Sequence, residues 1–84
     1  MPADPAAIAA HASILSTDAD SLAECAVRLD DLARRLRETP SVPTWLKDSM
    51  DQHITHCLVA STDLATAAAR LEKYTSAVAP PHVT

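Results

Sequence analysis

Apolar residues return along the first half of the chain at every seventh position: Ile8, Leu15, Leu22, Leu29 and Leu36. Ala12, Ala19, Ala26 and Ala33 each follow one of the first four by four residues. Steps of four and three keep all nine on one stripe of an α-helix, so the spacing predicts a helix whose inner face is a heptad seam with a leucine row and an alanine row. The second half repeats the period. Met50, Cys57, Leu64, Leu71 and Val78 recur every seven residues, with Leu46, His53, Ala60, Ala67 and Tyr74 as a parallel row and Ile54, Ser61, Ala68 and Thr75 along the other side. Outside the first seam, Glu24/Arg28, Asp30/Arg34 and Asp31/Arg35 are acid-to-base pairs four apart, as expected of a solvated helical face.

Punctuation residues set the limits of these elements. Asp4-Pro5 starts the first helix, because the carboxylate can cap free backbone N–H groups and proline sits where its missing N–H costs nothing. No proline then intervenes until Pro40. After Pro40 and Pro43, Thr44 is placed to cap a second helix that Pro80-Pro81 stops. The reading is one all-α domain over 1–84: a helix over about 5–39, a turn at 40–44, a helix over about 45–79 and a short proline-containing tail at 80–84. Each helix would be about 50 Å long at ~1.5 Å per residue. Equal lengths joined by a short turn predict an antiparallel, coiled-coil-like hairpin with an Ala/Leu seam. Such a hairpin leaves Ile14, Val27, Leu32, Leu58 and Val59 off the seam as exposed apolar surface, and pairing into a four-helix bundle would cover them. The seam residues Ile8, Leu15, Leu22, Leu29, Leu36, Ala12, Ala19, Ala26, Ala33, Met50, Leu64 and Leu71 are therefore the expected interface set.

Composition narrows the function. A chain of 84 residues makes one domain with little volume for a core, and 17 of its residues are alanine, which favours helix but buries little area. The net charge is −4, and Lys and Arg form no run longer than two, which argues against a nucleic-acid partner. The absence of glycine argues against a glycine-rich phosphate loop, and no nucleophile is flanked by a base and an orienting acid. The expectation is a protein without enzymatic activity or cofactor whose partner is another protein. The stretch MPADPAAIAAHASIL has no basic region or signal-length apolar run, and no window approaches a membrane span. The chain is expected to be soluble, and either secreted without a cleaved signal peptide, residing in the cytoplasm before export, or simply cytoplasmic.

Three groups invite a chemical reading. Residues whose numbers add to about 82 should lie level across the hairpin, which sets Cys25 beside Cys57 as a candidate disulfide worth about 3 to 4 kcal/mol, against the alternative of two small buried thiols. His53, His56 and Cys57, with Cys25, invite a zinc site, but His56 projects off the shared line, and one boundary and one exposed histidine is the preferred reading. His11 and His82 belong to the opposite end of the hairpin. Trp45 is expected to cover the closed end near Leu36 and Thr39, with a partner-binding anchor as the alternative.

A short chain with two equal helices and a central Trp45 at the turn resembles the WxG family of small type VII secretion substrates and their actinobacterial relatives, the ESX secretion-associated helical hairpins. That family carries Trp-x-Gly at the turn, where this chain has Trp45-Leu46-Lys47. Its export signal is a Tyr followed four residues later by an acid; Tyr74 stands in that region within RLEKYTSAV, with Val78 in the acid's place. The resemblance implies a homo- or heterodimeric four-helix bundle, exported folded or serving as the adaptor of a larger effector, with a second hairpin or the effector's N-terminal region as partner. The two departures imply the member of a pair that does not itself carry the signal. Outside this family, a cytosolic antitoxin-like or regulatory helical module that masks a partner, or a coiled-coil assembly factor, fits the same pattern.

Overall fold

Two helices, α1 (Pro5–Arg37) and α2 (Thr44–Val78), make up the fold in a computed structural model that describes residues 4–78. The proline stop at Pro80-Pro81, the tail 80–84 and His82 lie outside the described residues. The helices pack side by side along their length, giving an antiparallel hairpin with extents of 66 × 25 × 14 Å, one helix layer thick. Its radius of gyration is 19.0 Å, where a compact chain of this length would have about 12 Å.

Asp4 caps α1 as the sequence predicts. The Ala6 N–H donates to Asp4 Oδ1 at 3.0 Å, the Ile8 N–H donates to the Asp4 carbonyl at 3.1 Å, and Pro5 occupies the first helical position. α1 ends at Arg37, short of the expected 39, because Thr39 precedes Pro40 and the proline ring disfavours helical backbone at the residue before it. Thr39 closes the last turn instead. Its N–H donates to the Leu36 carbonyl at 3.1 Å and its hydroxyl to the Arg35 carbonyl at 2.9 Å, satisfying two carbonyls that the ending helix leaves open. Arg34, Arg35 and Arg37 place positive charge at the negative pole of the helix dipole.

The start of α2 differs from the expectation. The Leu46 and Lys47 N–H groups donate to the Pro43 carbonyl at 3.1 and 3.4 Å, so Pro43 holds the capping position and Thr44 is already the first helical residue. No described residue takes a positive φ. The reversal is made by threonine hydrogen bonds and two prolines, with no left-handed cap of the kind glycine usually supplies.

The core is the alanine row. Ala12, Ala19, Ala26 and Ala33 of α1 and Ala68 of α2 are the fully buried residues among those described, at 3% exposure or less. Ile8, Leu15, Leu22, Leu29, Leu36, Met50, Cys57, Leu64 and Leu71 are only half-buried. Alanine lets the backbones close in, and the longer side chains splay to the flanks, where one layer of helices cannot enclose them. Ser61 measures the closeness: its hydroxyl reaches across the seam to donate to the Ala19 carbonyl at 2.8 Å. Thr75, also in the α2 seam, is satisfied within its own helix by a 2.8 Å bond to the Leu71 carbonyl, so polar seam positions leave no buried side-chain group unpaired among the described residues.

Three positions assigned to the α2 rows face outward. His53 and Tyr74 are exposed while Leu46, Ala60 and Ala67 of the same row are half-buried, because that row runs along the flank, where small and apolar side chains tuck in and the large ring or imidazole turns to water. Val78 is 44% exposed because the level opposite it falls at Asp4, before α1 begins.

Two substitutions test the seam. Ala26→Leu should force the backbones apart and cost about 1 to 3 kcal/mol in a denaturant titration; no loss would place the alanine row on the surface. Ser61→Ala should cost about 0.5 to 1.5 kcal/mol, with helix content by circular dichroism retained.

Candidate interaction surface

The residues that escape the seam form the exposed apolar surface of the hairpin. Ile14, Val27, Leu32, Leu58 and Val59 are all exposed, as the seam assignment requires, and Trp45, Tyr74 and Val78 join them. Val27 follows the seam residue Ala26 and Leu32 precedes the seam residue Ala33. One step along a helix turns about 100°, so Val27 and Leu32 stand on opposite edges of α1, with Ile14 toward the edge of Leu32. Apolar side chains therefore emerge on both faces of the hairpin.

On the Val27 face a groove of about 420 Å³ runs between the helices, lined by Ala26, Val27 and Ile54 with Leu58, and bordered by Asp30, Asp31 and Arg34. Beyond Leu58 a second hollow of about 250 Å³ is lined by Val59, Thr62 and Asp63. Leu58 belongs to both and is the ridge between them.

Charge on this rim is arranged around one guanidinium. Arg34 pairs with Asp30 at 2.6 Å and with Asp31 at 3.8 Å, so Asp31 turns to the base three residues on instead of Arg35 four residues on. Glu24 and Arg28 form no ion pair. Arg37 reaches across the closed end to Asp51 at 3.6 Å, a pair that the within-helix reading missed although the two residues lie near one level of the hairpin. All of these side chains are substantially exposed, so each pair contributes little to stability.

Trp45 does not cover the closed end. It is 69% exposed, and its neighbour Leu46 turns inward in its place. Leu46 holds the row assigned to it beside the α2 seam, and one step along a helix turns about 100°, which carries its neighbour Trp45 outward. Among the two readings of Trp45, only an outward ring remains.

Both thiols are free, Cys25 exposed and Cys57 half-buried, which overturns the disulfide. Cys57 lies on the α2 seam. Cys25 precedes Ala26 by one residue, and that step of about 100° carries its side chain off the inner face; level matching alone is insufficient for a bridge. Among the described residues no three His, Cys, Asp or Glu side chains come together as a metal-binding group, and His53 and His56 are both exposed. No helix among the described residues is long and apolar enough to cross a membrane. Comparison with protein-family models, curated proteins and solved structures finds no match for the chain.

The thiols give a direct check of this geometry. Under denaturing, non-reducing conditions the protein should titrate two thiols with Ellman's reagent, and in the native state Cys25 should react well before Cys57. One fast phase shared equally by both would contradict the placement of Cys57 in the seam.

Proposed function

We propose that the protein is a non-enzymatic interaction module, one half of a helical bundle, which works by pairing with a second helical surface in the manner of small type VII secretion substrates or effector adaptors. The observation that carries this reading is the single-layer architecture. Stable domains stack two layers around a core, and here one layer stands alone with eight large apolar side chains exposed among the described residues.

Surface area supports the same reading. The chain exposes 6376 Å², where a compact monomer of its 8.9 kDa mass would expose about 4,800 Å². The excess is larger than the roughly 800 Å² that each partner contributes to a standard specific interface. An outward Trp45 adds an aromatic of the kind that dominates binding energy where partners meet.

Light scattering across a dilution series, with and without reductant, tests the pairing. The expected result is a stable dimer, or a monomer that binds an apolar dye and melts with poor cooperativity. A monomer that unfolds cooperatively and binds no dye would overturn the reading. The secretion part has its own test: the native protein should be found in culture filtrate, and its detection only inside washed cells would remove it.

A further inference from the structure

The groove between the helices has an apolar floor and an acidic border, and at Leu58 it meets the second hollow, which lies on α2 alone. Ala26 and Ile54 lie at the floor, the exposed Val27, Leu58 and Val59 stand along it, and three carboxylates, Asp30, Asp31 and Asp63, line the two hollows against the single guanidinium of Arg34. Arg34 is shared between Asp30 and Asp31, and Asp31 lies at the far limit of pairing distance, so negative charge is left over on the rim.

We propose that this trough is the docking site for an amphipathic helix of a different chain, with apolar residues at i, i+3 or i+4 and i+7 flanked by Lys or Arg. The inference rests on the pairing reading above and names the partner's chemistry. Charge selects the occupant. In a symmetric dimer the same patch meets itself, so a second copy would bring the acidic rim against its own equivalent, and the whole chain already carries a net charge of −4. Like charges opposed across an interface disfavour association, and a basic flank removes that penalty while the apolar residues fill the floor. Helix-in-groove recognition needs this combination: a trough between helices for the apolar stripe and charged edges for orientation.

The test uses the whole protein and three synthetic helices of about four heptads each. One carries a Leu seam flanked by Lys, one the same seam flanked by Glu, and one the Lys composition with the seam scrambled. Binding is followed by fluorescence anisotropy of labelled peptide, with sedimentation of the protein alone in parallel. The Lys-flanked helix should bind at least about tenfold more tightly than either of the others at low salt, and its advantage over the Glu-flanked helix should shrink as salt rises. Leu58→Ser, at an exposed position where the fold loses little, should abolish most of this binding with helix content unchanged. Asp31→Asn with Asp63→Asn should narrow the preference for Lys over Glu while leaving the seam requirement intact.

Equal binding of the Lys and Glu helices would overturn the charge selection, and binding of neither would overturn the trough as a helix site. A dimer of the protein alone that Leu58→Ser disperses would show that a second copy is the occupant. That last result would sink this inference and leave the pairing reading standing.

Discussion

The separation of the two helix backbones governs everything else in this hairpin, and alanine sets it. With methyl groups at Ala12, Ala19, Ala26, Ala33 and Ala68, the backbones come close enough for the Ser61 hydroxyl to reach the Ala19 carbonyl. The gain is dispersion contact between backbones and a fixed register. The cost is hydrophobic area, since a buried methyl removes far less surface from water than a buried isobutyl group. Because the seam is thin, Leu15, Leu22, Leu29 and Leu64 are pressed outward to the flanks and only partly buried. The same constraint that makes the hairpin tight leaves it unfinished.

That incompleteness links the fold to its proposed work. A bundle half must keep enough order alone to present its apolar residues in register, yet hold enough of them back from its own core to reward a partner. Here order comes from helix propensity, the Asp4 cap, the Thr39 closure and the alanine seam, and the apolar residues held back are Val27, Leu58, Val59, Ile14 and Leu32. The polar positions on the trough rim do not stabilise the hairpin to any extent, because their ion pairs are exposed. In the proposed docking their work is to choose what approaches.

Much of this was legible in the sequence for a physical reason: a heptad period is a one-dimensional statement, and the helix converts it without ambiguity into a face. The alanine and leucine rows, the Asp4 cap and all five off-seam apolar residues follow from spacing alone. What failed needed a second coordinate. Cys25 and Cys57 match in level, but bonding also depends on which way each side chain points, and Cys25 is one residue off the seam. Trp45 fails for a similar reason, since Leu46 already holds the row beside the seam and the step of about 100° between neighbours carries the indole outward. Arg34 could have paired along α1 in several ways, and only its actual rotamer shows that it gathers Asp30 and Asp31 together. The groove lined by Ala26, Val27, Ile54 and Leu58 is a property of two helices at once, and neither half of the chain encodes it separately.

The antiparallel layout also has a consequence for how the chain folds. Contacts near the turn, such as Arg37 with Asp51, close a short loop, whereas the Ser61 bond to Ala19 joins residues 42 apart. Loop closure becomes harder as the intervening chain lengthens, so contacts beside the proline turn cost the least chain entropy, and each seam alanine in place shortens the loop that the next must close. The loop-closure cost of each seam contact is therefore set by its distance along the chain from Pro43.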